Sequence, residues 1–369
     1  MRKYLKFIAL CLLAGLILVW FGWNLNWAEV SGAIARADRR LIAAAVVVVL
    51  VTYLIRAFRW RTLLAPLAPD ASLREAFAAT TVGFSAIFLL GRAGEVVRPA
   101  FLPLRDRAVK PGAAFVTIAV ERICDMTAVV IIFAANLLFL RLPGVDETAF
   151  ARVRQGALLL LAAAVLGLAA LVLFRRHAGR VTAWLGAKME SWPRALSRAG
   201  KVVVGLLEQL AQTLGVLVGA RSLLATVGWT AALWAAIAAA NMLVLRAFGL
   251  PLGISETVFV LGWALVGSVV PTPGAGAGTF HAATAYSLMA YLGVPETEAK
   301  AAVIVLHPVV FAPSLIFGLY YFLRSGLSLS RLRELIASEK AEAEAEKRAD
   351  ASRAEKHEDA GGTARVASA

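Results

Sequence analysis

Apolar residues run along this chain in blocks longer than a soluble core needs. Blocks at about residues 5–23, 41–58, 112–140, 156–174, 222–248 and 299–323 each reach roughly 18 residues, enough for a helix to cross the hydrocarbon of a bilayer. These six predict full transmembrane helices. Two other stretches follow a different pattern: "AFAATTVGFSAIFLLGRAGEVVRPAFLPL" between the second and third blocks, and "TVFVLGWALVGSVVPTPGAGAGTFHAATAYSLMAYLG" between the fifth and sixth. Each consists of two short apolar pieces around a glycine-rich break.

The charged residues between blocks give the pattern a direction. With the N-terminus inside, "RAFRWR", "RDRAVK" and "FRRHAGR" fall in the cytoplasm, and the more acidic "RLPGVDETAF" and "GVPETEAK" fall outside. The basic "IARADRR" lands on the outer side against the trend and is expected to lie as an interfacial helix. The amphipathic, basic region from about 180 to 220 is expected along the cytoplasmic surface. Each broken stretch then begins and ends on one face, which predicts a re-entrant hairpin, the first from the cytoplasm and the second from outside. Non-helical backbone at that depth is tolerated only where protein buries it or a polar cavity receives it. The expected fold is therefore all-α and polytopic, with about six full crossings plus two re-entrant helical hairpins in an inverted-topology repeat, an arrangement that puts broken helices at a transport site.

Composition agrees. The chain is 60% hydrophobic with a mean hydropathy of +0.74, well above the roughly 45–50% apolar content of soluble domains. The net charge of +14 sits wholly in the membrane part, because residues 324–369 hold 9 basic and 9 acidic residues, leaving 29 against 15 before them. That distribution fits loops beside anionic lipid headgroups, and no aromatic-basic surface for nucleic acid accompanies it. Residues 1–325 are read as the transmembrane domain and 326–369 as a charged cytoplasmic tail, largely disordered, so both termini are cytoplasmic. Cys11 and Cys124 lie on separate predicted helices and offer neither a disulfide framework nor a metal site. The first 25 residues read as a retained helix, with a cleaved signal peptide as the competing reading.

The breaks carry the chemistry. "PTPGAGAGTFHA" resembles a phosphate-cradling loop, but Thr279, Phe280 and His281 follow Gly278 where a nucleotide P-loop needs Lys then Ser or Thr. Pro271 and Pro273 are expected to end the first half-helix, Gly274, Gly276 and Gly278 to make the turn, and Thr279 to cap the second half-helix, whose free N–H groups face an anion. A tight packing turn with no ligand is the competing reading. In "LLGRAGEVVRP", Arg92, Glu95 and Arg98 stand at i, i+3 and i+6 on a helix expected to begin near Gly94. In "VERICDM", Glu121 and Asp125 share a face with Arg122 beside them. A guanidinium suits a phosphate oxygen pair; an ion-pair lock holding the hairpin is the alternative. His281 and His307 are weaker signals, and no metal cluster is visible.

The motifs "GRAGEVVR", "ERICD", "PTPGAGAGTFH" and "HPVVFAPSLIFGLYYF" resemble the flippase-like transmembrane domain of the lysylphosphatidylglycerol synthase family, which also includes hopanoid-associated membrane proteins. The resemblance covers about residues 5–325. The Pro-Gly motif is one small residue longer than the family's usual form, and His281 stands where the family often has Glu. The resemblance implies translocation of a lipid between leaflets of a bacterial cytoplasmic membrane, with aminoacylated phosphatidylglycerol the known case. Only the short tail follows residue 325, so the chain is expected to lack the aminoacyl-transferase domain and not to be an enzyme. The partners it implies are a membrane phospholipid or a polyprenyl- or hopanoid-type lipid, with a homo-oligomer compatible; no cofactor is expected. A headgroup-modifying membrane enzyme and a non-transporting scaffold of a lipid-synthesis complex are the competing functions.

Overall fold

The computed structural model describes residues 12–13, 15–23, 25–140, 147–190, 220–270 and 272–326. The chain divides into two units, residues 1–321 and 322–369; the tail expected to be disordered lies, beyond Gly326, outside the described residues. Among those described, every regular element is helical. After helical backbone at residues 15–22 come α1 (Trp27–Arg36), α2 (Arg39–Leu64), α3 (Leu73–Leu90), a 3-10 segment (Gly91–Val96), α4 (Val97–Arg105), α5 (Pro111–Phe139) and α6 (Glu147–Glu190). Then follow α7 (Ala220–Ala247), α8 (Ile254–Gly267), a one-turn segment (Pro273–Gly276), α9 (Thr279–Leu292), α10 (Glu296–Phe311) and α11 (Pro313–Arg324).

Short polar residues set the helix starts. Asp38 accepts from the backbone N–H groups of Arg40 and Leu41, and Ser72 from that of Glu75, satisfying donors that the first turn leaves open. Apolar length does the rest. Among the described residues, four helical spans are long and apolar enough to cross a membrane: Arg39–Leu64, Leu73–Leu90, Arg221–Ala247 and Glu296–Arg324. Three coincide with expected crossings. The block at 112–140 forms α5, that at 156–174 lies within the 44 residues of α6, and that at 5–23 is described only in part. The fourth span, Leu73–Leu90, differs from expectation: the first limb of the first hairpin is itself 18 residues long, because the break falls only at Gly91.

Two other differences have physical causes. "RAFRWR" is not a loop after α2 but part of its last turns, since Arg59 is neutralised inside the protein and its charge does not end the helix. "IARADRR" contributes to α1, a helix whose Val30 and Ala33 pack against Ala301. Residues 180–190 extend α6; the rest of the stretch expected on the cytoplasmic surface, 191–219, lies outside the described residues.

The order long helix, helix–break–helix, long helix occurs twice, as α2, α3–α4, α5 and as α7, α8–α9, α10–α11. α2 and α7 pack together along their length. Each hairpin touches the other half: α5 packs on α8, α10 on α3, and the segment Pro273–Gly276 on both α3 and the 3-10 segment, so the two breaks meet. Small residues permit this. A Cβ on Gly83 would lie 2.5 Å from the Cβ of Arg98, and Gly318 sits directly against Ser85 and the Thr81 backbone.

Gly83→Val is expected to force α3 and α4 apart and lower stability by about 1–3 kcal/mol. Gly228→Ala, whose Cβ meets nothing within 4 Å, should be neutral or gain about 0.5–1 kcal/mol. Thermal unfolding in detergent reads both, and equal effects would contradict the packing assigned to Gly83.

Candidate functional site

A ladder of charges is sealed beside the first break. Arg59 on α2 is fully buried, and its two terminal nitrogens reach the two oxygens of Asp125 at 2.6 and 3.0 Å. One of them also lies 3.1 Å from Glu121, and the other donates to Thr230 of α7 at 3.3 Å. Glu121, also 0% exposed, accepts from both terminal nitrogens of Arg98 at 2.6 and 3.1 Å. Arg98 in turn lies over the Trp60 ring at 4.3 Å, and Trp60 donates to Thr117 at 3.0 Å. The order Asp125, Arg59, Glu121, Arg98 thus joins α2, α4 and α5. Fork-shaped guanidinium groups are suited to such shared, bidentate bonds.

In front of the ladder lies a cavity of about 1070 Å³. Its wall includes Gly91 and Glu95 from the first break, and Ser268, Thr272, Ala275 and Gly276 from the second. Arg56, Arg122 and Asp125 charge one part of it, while Val129, Phe133, Leu159 and Leu265 make an apolar stretch. The second break is shaped by left-handed backbone at Gly274, Ala275, Gly276 and Gly278. Ala275 has φ +53, a conformation that costs a non-glycine residue roughly 1–2 kcal/mol. Two of the break's amides are already used, Gly276 N–H by Thr272 and Ala277 N–H by Gly274.

The residues singled out in the sequence fall into distinct places. Arg98, Glu121 and Asp125 come together in the ladder. Arg122 is half exposed and reaches no nearer than 3.9 Å to Glu121. Glu95 lies in the 3-10 segment, where the i, i+3, i+6 spacing no longer applies; it lines the cavity and is not the partner of Arg98. Gly94, expected to begin a helix, instead packs against the Ala86 backbone, and the helix begins at Val97. Arg92 belongs to the same segment, and its side chain is outside the described set. α8 ends at Gly267, before either proline: Pro271 lies outside the described residues, and Pro273 opens the one-turn segment. Thr279 is not a cap, because its hydroxyl donates to the carbonyls of Gly267 at 2.6 Å and Gly276 at 3.1 Å, tying the limbs together. His281 accepts from Gly278 N–H at 3.4 Å and lies against His307, ring centroids 4.7 Å apart and the planes tilted by 39°. Among the described residues no group of three metal-ligating side chains gathers.

Arg56 and Arg59 were the residues sequence reasoning missed. At i, i+3 they share a helix face, and the acids Glu121 and Asp125 needed cations from elsewhere. A basic cluster ending an apolar run reads more simply as the membrane boundary, so the signal was present but outweighed.

Long apolar helices, large exposed side chains such as Trp20, Phe139 and Leu224, and a buried network of paired charges define a polytopic helical membrane protein. The chain belongs to the family described as the lysylphosphatidylglycerol synthase TM region, which matches residues 7–318. No curated protein matches it.

Glu121→Gln is expected to strand Arg98 and weaken the hold on Arg59, lowering stability by about 3–5 kcal/mol. Glu95→Gln, which breaks no ion pair among the described residues, should change it by less than about 0.5 kcal/mol. Melting of the two purified variants side by side provides the comparison; indistinguishable melting temperatures would remove the ladder from its structural role.

Proposed function

We propose that the protein moves an intact, phosphate-bearing lipid between leaflets of a bacterial cytoplasmic membrane. The observation that carries this reading is the cavity between the two breaks, about 1070 Å³, charged in one part and apolar along the rest. It exceeds the roughly 300–1,000 Å³ that pockets give drug-sized ligands, and its two-part lining suits an amphiphile. Leu159, Val266 and Val269 line it and are also exposed at the molecular surface. Acyl or prenyl chains can therefore stay in the bilayer while the headgroup crosses.

On this reading the two hairpins are re-entrant, enter from opposite faces as an inverted repeat, and bring their tips together near the midplane. The contact between the Pro273–Gly276 segment and the 3-10 segment supports that arrangement, and membership of the family supports a phospholipid-related substrate. The loop charges favour cytoplasmic termini. The chain acts as a carrier and not an enzyme, so its substrate leaves chemically unchanged. Arg98 serves this function indirectly, by fixing α4 against α5, since both its terminal nitrogens are spent on Glu121.

Vesicles reconstituted with the protein and a headgroup-labelled phospholipid test the reading. Inner-leaflet label should become accessible to an impermeant quencher, and the lipid recovered afterwards should have its original mass. Gly156→Trp should slow the exchange by about tenfold, because Gly156 lines the cavity and a side chain there meets nothing within 4 Å. Folded protein that leaves the label where it was would overturn translocation; a changed mass would point to headgroup chemistry.

A further inference from the structure

The charges around the cavity do not balance. Among the described residues, the guanidinium groups of Arg56, Arg59, Arg98 and Arg122 stand against the carboxylates of Glu95, Glu121 and Asp125. Glu121 and Asp125 are committed to Arg59 and Arg98 through short hydrogen bonds. Arg122 keeps 39% of its side chain exposed and can hold its charge at a surface. Arg56 is partly exposed, and the surface it keeps faces the cavity. It makes no ion pair or hydrogen bond among the described residues, its Nε is buried without a partner, and its guanidinium lies 4.5 Å over the Phe84 ring. The charged groups around it are Asp125, Arg59, Glu121 and Arg122, whose two acids already serve other arginines. Its side chain lines the cavity.

A guanidinium that lines a cavity with no carboxylate bonded to it is available to a ligand that brings the opposite charge. We infer that Arg56 is the headgroup anchor of the cavity, binding the phosphodiester of a lipid whose headgroup carries one net negative charge. The planar fork can face two phosphate oxygens at once. One negative charge cancels the excess among the described residues, whereas a zwitterionic headgroup brings its own ammonium and restores it. A lipid fits better than a free anion, because the same cavity runs on past Val129, Phe133 and Leu265, apolar walls that an inorganic ion would leave empty. The anchor names the substrate class for the translocation reading and rests on it for what happens after binding; the binding step itself does not need it.

Binding by the purified full-length protein in detergent tests the anchor, with native mass spectrometry reading phosphatidylglycerol, phosphatidylethanolamine, diacylglycerol and inorganic phosphate in parallel. The wild type should prefer phosphatidylglycerol over the other two lipids by about tenfold or more. Arg56→Gln should abolish that preference, and Arg56→Lys, which keeps charge but loses the fork, should reduce it. Without lipid, Arg56→Gln should melt no lower than the wild type, since it removes an unpaired charge; a residue that merely held the fold together would behave in the opposite way. Should Arg56→Gln fail to fold, that result speaks against the anchor, and Arg56→Lys still reads the role of the fork. Equal retention of phosphatidylglycerol by the wild type and the variants, equal binding of phosphatidylethanolamine, or occupancy by phosphate alone would each overturn the inference. The vesicle assay separates the two readings. Lipid bound through Arg56 but not moved leaves the anchor and removes translocation; lipid moved by Arg56→Gln with unchanged headgroup preference does the reverse.

Discussion

The buried ladder of Asp125, Arg59, Glu121 and Arg98 is the constraint on which the arrangement around the first break depends. Two carboxylates and two guanidinium groups cancel in a space that solvent barely reaches, and each can stay charged only while the others hold position. Such a set gains little over an apolar core of the same volume, but removing one member leaves an uncompensated ion. Its effect is positional. Arg59 fixes α2 to α5, Arg98 fixes the short α4 to α5, and Thr230 brings α7 into the same network.

That fixing allows the first hairpin to remain a hairpin. α4 has only nine residues, too few to be held by its own backbone bonds, and it is pinned through Arg98, the Trp60 ring and the close approach to Gly83. The second hairpin is held differently. Its limbs are tied by the Thr279 hydroxyl on Gly267 and by the packing of Gly267 against Thr279 and Phe280. One break is locked by charge and the other by backbone contact and left-handed turns, and the cavity opens between them because neither limb pair fills the space where they meet.

Within the ladder every carboxylate has a guanidinium partner, so an arginine beside it that bonds to neither acid is informative by its isolation. Arg56 stands one turn before Arg59 on the same helix, yet it faces the cavity and not the ladder. The same α2 face thus contributes one arginine that builds the site and one that is free to meet a ligand. Apolar side chains exposed along α6 and at the end of α8, such as Leu159 and Val266, supply the complementary lining for chains.

The sequence by itself determined that this is an all-α membrane protein with two glycine-rich breaks, because bilayer-length apolar blocks and glycine runs are local signals that need no knowledge of neighbours. It also marked Glu121 and Asp125 as a pair, since i, i+4 spacing fixes a shared face. It did not determine where the half-helices end, which side chain caps them, or which arginine meets which acid. Glu95 and Arg98 looked adjacent on a helix, but a 3-10 segment at Gly91–Val96 separated them. Arg59 looked like a boundary residue, but a partner 66 positions away took it into the interior. Charge compensation over such separations is decided only by packing, and so the tertiary structure alone distinguished Arg59 and Arg98, which hold the fold, from Arg56, which faces the cavity.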